Sequence, residues 1–213
     1  MTTTPVTTTP IRPAQAGDLA AITALLTDAV AKDPMAAWLV PDPTERRHVF
    51  HRLLAMEIDH AIEWGNVDIT LDMTAVAVWH HHPRPPTAPL FDYHLYTSAG
   101  PALPRFQRLH TLTRRYRTAA PHHWLAWLHV TPNTRQQGIG QALLEQHHQR
   151  VDQHGHPIDT IATNTPTRNY LTRRGYRAGT PLRTRPHLWP LHRAGRPIPP
   201  SPSRSSPTHR PPH

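Results

Sequence analysis

Apolar positions along the chain switch between a spacing of three to four and a spacing of two, and that switching lays out a mixed α/β domain. Leu19, Ile22, Leu25, Leu26 and Val30 recur at helical spacing and predict a helix over 18–31. A longer stripe of Val49, Phe50, Leu53, Leu54, Ile58, Ala61 and Ile62 predicts a second helix over about 44–64, with Gly65 as its stop. Strand-like runs at 67–71 and 75–79, joined around Asp72, Met73 and Thr74, predict a hairpin. A short extended piece at 9–12 precedes the first helix. The proline-rich stretch 83–104 lacks a steady period and reads as a long loop, of the kind that shapes substrate pockets in compact domains. Beyond it the pattern predicts a basic helix over 105–118, a strand over 124–130, a helix over 138–154, a strand over 158–163, a short helix over 167–174 and one or two closing strands within 182–191. There is no internal repeat.

The two ends differ from this body. Residues 1–8 are threonine-rich low complexity, and from about Ala194 onward prolines stand among serines and arginines; neither composition builds a packed core, so both ends are expected to be disordered around one domain at 9–193. A chain of 213 residues can bury one sizeable core. It has no cysteine, which excludes disulfides, thiolate metal sites and a cysteine nucleophile. No apolar run approaches the roughly 18 residues of a membrane span, and the N-terminus lacks the features of a signal peptide, so a cytoplasmic location is the default expectation. The formal charge of +9 is one-sided: residues 1–159 hold 13 Lys or Arg against 14 Asp or Glu, whereas residues 160–213 hold 10 Arg and no acid. An Arg-rich arm could serve a nucleic-acid-associated protein, but a nearly neutral body and an Arg-, Pro- and His-rich composition with a single lysine, Lys32, argue that coding bias produced the excess.

Most of the chemical information lies in one unit, an apolar run ending at His129-Val130, the loop Thr131-Pro-Asn-Thr-Arg-Gln-Gln-Gly-Ile-Gly140, and the amphipathic stretch 141–151. Backbone N–H groups at a helix start have no partner within the helix, and the helix dipole adds positive potential there, so a strand, a glycine loop and a helix in that order form an anion site. Gly138 and Gly140 clear side chains from the path of a diphosphate, and Arg135 can supply a charge-assisted contact. The loop lacks the Lys-Ser/Thr ending of a nucleoside-triphosphate loop and the third glycine of a dinucleotide fingerprint.

In Val130, Pro132, Arg135, Gly138 and Gly140 the loop resembles the acetyl-CoA loop of the GCN5-related N-acetyltransferase family. The resemblance continues in Asn164, in Arg168 to Tyr176, and in the opening Ile11-Arg-Pro-Ala followed by Asp18, and it covers residues 9–193. It implies a single α/β domain with a splayed, mixed central sheet flanked by helices. It also implies an acyltransferase that passes acetyl from acetyl-CoA, a co-substrate, directly to a primary amine, here that of a small molecule. The resemblance places the pantetheine arm along His129 and Val130 and the diphosphate on Arg135, Gln136, Gln137, Gly138, Ile139, Gly140 and Gln141, with Asn164 and Asn169 as further contacts. The family's usual tyrosine acid falls at Leu171 in this chain, and Tyr170 stands one residue earlier, a rotation of about 100° on a helix. Tyr170 is the candidate acid. A binding protein of the same fold without turnover, and the nucleic-acid-associated protein, are the alternatives.

For a base, the strand before the loop offers only His129, whose ordinary pKa near 6.5 suits proton abstraction at neutral pH. Glu63, Asp68 and Asp72 are remoter candidates. Of the run His80-His81-His82, only His80 and His82 share a strand face, and no third ligand is evident, so no metal is expected. His122-His123 and His147-His148 read as products of composition. Neither the acceptor amine nor the choice between monomer and homodimer is legible.

Overall fold

The structure is a computed structural model, and it describes residues 9–82, 95, 97–114, 116, 120–182, 184 and 186–196. Helix α1 (Leu19–Val30) follows a single 3-10 turn at Ala16–Asp18. A short helix, α2 (Pro34–Leu39), was not anticipated from the periodicity because six residues are too few to show it; its start is nevertheless written in Asp33-Pro34. The Asp33 carboxylate accepts from the backbone N–H groups of Met35 and Ala36, and proline takes the first helical position, where no N–H is needed. Asp42-Pro43 repeats the device at the head of α3 (Pro43–Trp64), which ends at Gly65 as expected. Helix α4 (Leu103–Arg114) begins two residues before the expected start, and residues 97–102 are already helical, which corrects the loop reading there. The remainder of that loop, 83–94 and 96, lies outside the described residues, as do the low-complexity end 1–8 and the tail from Pro197.

Among the described residues seven strands form one mixed sheet in the order β1-β2-β3-β4-β5-β7-β6. They are β1 (Ile11–Pro13), β2 (Asn66–Thr70), β3 (Ala75–His82), β4 (His122–Val130), β5 (Ile158–Ala162), β6 (Arg177–Ala178) and β7 (Trp189–Arg193). Strand β6 had escaped the sequence reading, being two residues long. All neighbours are antiparallel except β4 and β5, which α5 (Ile139–Asp152) connects as a crossover. Helix α6 (Thr165–Thr172) links β5 to β6.

Period-two alternation along β3 builds the two halves of the core. Val76 and Val78 pack under α1 and α3 on one face, with Ile22, Leu26, Phe50, Leu54 and Ile58. Ala75, Ala77 and Trp79 pack under α5 and α6 on the other, with Leu143, Leu144, Val151 and Leu171. Trp79 and Leu143 are fully buried, and transfer of side chains of this size from water contributes about 1.5–3 kcal/mol each.

Candidate active site

The site is made by a pairing that stops. Strands β4 and β5 are in register only at His123–Ile158 and Trp124–Asp159, although β4 continues to Val130 and β5 to Ala162. A bulge at the same level starts the divergence: Val78 faces Trp127 and Trp79 faces Leu125, leaving Ala126 as an extra residue on β4, and bulges of this kind bend a strand. The Thr160 hydroxyl donates to the Leu125 carbonyl at 2.7 Å, bracing the apex of the wedge. Beyond it, Ala126 to Val130 are only half-buried although β4 is an interior strand. Thr131 N–H reaches across to the Thr74 carbonyl, 2.8 Å, so strand alternation turns the backbone groups of Leu128 and Val130 toward the gap and those of His129 toward β3.

The loop after β4 carries a single 3-10 turn at Pro132–Thr134 and then alternates hand, with φ of +65° at Gln136 and +82° at Gly138. Gln136 and, in the β2–β3 turn, Met73 are the non-glycine residues in the left-handed region among those described, a conformation that costs about 1–3 kcal/mol and that the surrounding structure must hold. Alternating left- and right-handed residues turn successive amides to one side, as in an anion nest. Gly138 is the N-cap of α5 and has no side chain to cap it, so the first-turn amides before Ala142, whose N–H bonds the Gly138 carbonyl at 2.9 Å, are left for another acceptor. Gly140 is needed for a different reason: a Cβ there would lie 2.8 Å from Tyr170 Oη and 3.3 Å from Val130 Cγ2. The sequence-derived loop residues thus stand together, with Gln136, Gln137 and Gly138 exposed and Ile139 and Gly140 buried against the core. Arg135 donates from Nε to the Val130 carbonyl, 3.1 Å, at the mouth of the gap.

Tyr170 and Leu171 exchange the roles that counting suggested. Leu171 is 2 % exposed within the apolar core, whereas Tyr170 turns its hydroxyl to the first turn of α5. Arg174 lies over its ring at 3.6 Å and donates to Gln141 Oε1 at 3.3 Å, holding α6 against α5. Burial raises the Tyr170 pKa and Arg174 only partly offsets it, so the phenol stays protonated at neutral pH. Two other nominated residues have local partners. Asn164 caps α6 by accepting from Thr167 N–H at 2.8 Å, and Asn169 Oδ1 accepts from Arg168 at 2.8 and 3.1 Å.

His129 pairs with Val76 across β3, which places it on the α1–α3 face, opposite to Tyr170, at the same open end of β4. Burial, then Arg135 and Lys32, hold its pKa below 6.5, so it is a neutral base at neutral pH. Asp33 at the head of α2 accepts from the Thr163 hydroxyl, 3.1 Å, tying the α1–α2 turn to the end of β5 on this face. The remoter carboxylates have other occupations. Asp68 is buried on the α5 face and paired with Arg150; Asp72 shapes the β2–β3 turn through Thr74; Glu63 is exposed. Glu57, which the sequence reading passed over, is the carboxylate that faces β4: Trp127 Nε1–H donates to its Oε2 at 2.8 Å, and His80 Nε2 lies 3.1 Å from its Oε1. In the sequence it stands one turn from Leu53, Leu54 and Ala61 on the apolar side of α3, a spacing that marks its face but not its partners on β3 and β4.

A surface depression of about 340 Å³, lined by Thr27, Pro43, Thr44, Arg47, His48 and His51, lies on the outer side of α1 and α3 and includes none of these groups. The histidine pairs are not idle. His147 is fully buried and stacks on Trp79 with ring centroids 3.8 Å apart, and His148 Nε2 lies 3.0 Å from the buried Tyr176 hydroxyl.

No protein-family model and no curated protein matches the chain. Solved structures do. A protein described as histone acetyltransferase HPA2 and related acetyltransferase, from Corynebacterium glutamicum, superposes with a TM-score of 0.67 at 22% identity, covering 89% of this chain and 97% of that one. Arylalkylamine N-acetyltransferase 2 from Aedes aegypti gives 0.65 at 10%, over 87% and 98%. A GCN5-related N-acetyltransferase from Rhodopseudomonas palustris gives 0.53 at 12%, over 88% and 96%. The chain therefore has the fold of the GCN5-related N-acetyltransferases, a mixed open sheet flanked by helices.

Proposed function

We propose that the protein is an N-acetyltransferase that passes acetyl from acetyl-CoA to the primary amine of a small molecule. The observation that carries this is the coincidence, at the open end of β4, of an uncapped α5 N-terminus, a parted pair of strands and the Tyr170 hydroxyl seated on Gly140. The residues fit the co-substrate. First-turn amides and the left-handed turns at Gln136 and Gly138 offer donors to a diphosphate, and the gap-facing backbone of Leu128 and Val130 offers strand-like pairing to a pantetheine amide. When bound, acetyl-CoA supplies an activated acyl group on a thiol leaving group.

The chain's own contribution is position and protons. Where β4 and β5 part, an amine approaching from the α1–α3 face would meet the neutral imidazole of His129, which takes the proton lost as nitrogen adds to the thioester carbon. On the other face Tyr170 gives its proton to sulfur as the C–S bond breaks, and is restored from solvent. Holding both partners at reacting distance accounts for about 7–11 kcal/mol in well-oriented systems, more than either proton transfer. A small amine fits the name of the Aedes aegypti neighbour, whose acceptors are arylalkylamines. The Arg-rich-arm alternative is weakened by the engagement of Arg168, Arg174 and Arg193 with Asn169, Tyr170 and Asp152.

Incubation of the full chain with acetyl-CoA and a panel of primary amines, following free thiol and acetylated product together, tests the proposal. Amine-dependent release of thiol in equal amount to product is expected. Binding of acetyl-CoA with no release for any amine class would instead identify a binding protein on this fold.

A further inference from the structure

Histidines gather at the closed end of the wedge, away from the site just described. His81 at the end of β3 lies opposite His123 at the start of β4, and the α5–β5 turn brings His156 alongside. One nitrogen from each of His81, His123 and His156 lies within 4.8 Å of the others. We propose that these three imidazoles form a binding site for a divalent transition-metal ion of the zinc class. Period-two counting missed it because alternation compares residues within one strand, whereas register and the crossover turn supply the partners.

Imidazole nitrogen is the ligand that borderline ions such as zinc(II) and cobalt(II) take, and three histidines with an open fourth position is an established ligand number; hard ions such as magnesium and calcium need oxygens, and no carboxylate belongs to this group. Bond lengths of about 2.0–2.1 Å set the nitrogens of a tetrahedral ion about 3.3 Å apart, so the rings must close by about 1.5 Å. They have room to do so. His81 is exposed, and its ring is stacked 4.6 Å from His123 and 5.7 Å from His156, an arrangement that side-chain rotation alone can convert. His123 is also held from behind, since His147 Nε2 lies 3.1 Å from His123 Nδ1, the kind of outer partner that fixes the orientation of a metal-bound ring. His147 in turn is stacked on Trp79 in the core, so the outer partner is rigid. Water, or His154 with its ring 5.9 Å from His156, completes the sphere.

The ion would clip the end of β3, the start of β4 and the turn before β5. The seven residue steps from His123 to Val130 put it about 23 Å from the proposed acyl-transfer end, so its role is to pin the apex of the wedge rather than to enter the chemistry.

The full chain without an affinity tag, stripped with a chelator, should be titrated with cobalt(II) and with zinc(II). One cobalt(II) per chain is expected at the site, with the intense visible absorption of a four-coordinate ion, displaced by one equivalent of zinc(II), and the melting temperature should rise with zinc(II). His81→Phe keeps the stack at an exposed position and should lose this spectrum with at least a tenfold weaker affinity, and His156→Ala should do the same. His80→Ala and His82→Ala, on the opposite strand face, should leave both unchanged. Absence of a four-coordinate spectrum, or binding that survives His81→Phe while the circular dichroism shows a folded protein, would overturn the proposal, as would equal weakening by the His80 and His82 variants.

Discussion

The Tyr170 hydroxyl occupies the space a side chain at Gly140 would need, 2.8 Å from where its Cβ would be. One contact thereby couples the first turn of α5, the proposed diphosphate site, to the proposed acid on α6. Gly140→Ala forces the phenol away or strains Val130 Cγ2, at a cost of about 1–3 kcal/mol for overpacking. Thermal melting should show a modest loss of stability, and acetyl-CoA affinity should fall by about tenfold or more.

Tyr170→Phe keeps the ring under Arg174 and removes only the proton donor. Its kcat is expected to fall about 10²-fold, the usual range for a lost general acid, with the KM for acetyl-CoA nearly unchanged. Leu171→Tyr should not restore it, because Leu171 lies in the core; that variant should instead melt earlier.

His129 is neutral above 6.5 and its pKa lies lower still, held down by burial and by Arg135 and Lys32. The ratio of wild-type to His129→Gln turnover cancels the titration of the acceptor amine. It should be constant at pH 7–9 and decline toward one only on the acid side of 6.5, where the imidazole fills with a proton. A ratio near one at every pH would remove His129 from the proton transfer.

His148 sits against Tyr176 and Arg193, and burial, aided by Arg193, pushes its pKa down to about 4. In the unfolded chain it takes a proton near 6.5, so between about 4 and 6.5 the unfolded state binds more protons and stability falls as the pH drops. The loss across that window is about 1–2 kcal/mol from this residue, less than the full shift because the ring edge is partly screened. Denaturant melts from pH 7 to 4.5 should show this fall together with that from His123 and His147, which burial holds lower still, and His148→Gln should reduce the slope without abolishing it.

The elements whose pattern spans several turns were legible from sequence: α1, α3, β3, β4 and α5 appear where apolar spacing placed them, because each buries one face against the sheet. Short elements were not. Helix α2 and strand β6 have too few residues for a period, and Asp33-Pro34 was the only local sign of α2. The loop from Val130 to Gly140 was legible because glycine positions record backbone demands directly. The orientation of Tyr170 was not, since a one-residue offset along a helix is resolved only by knowing that Leu171 is drawn into the core. Glu57 and the His81–His123–His156 group were hidden for a common reason: each is assembled from elements distant in the chain, and no spacing within one segment encodes that register.

Calorimetric titration of acetyl-CoA into the full chain and into Gly140→Ala bears most directly on the assignment of the β4–α5 unit as an acyl-CoA site. One molecule should bind per chain, with affinity at least tenfold weaker in the variant and with circular dichroism showing both proteins folded. No heat of binding in the wild-type protein, or equal affinity in the two, would contradict it.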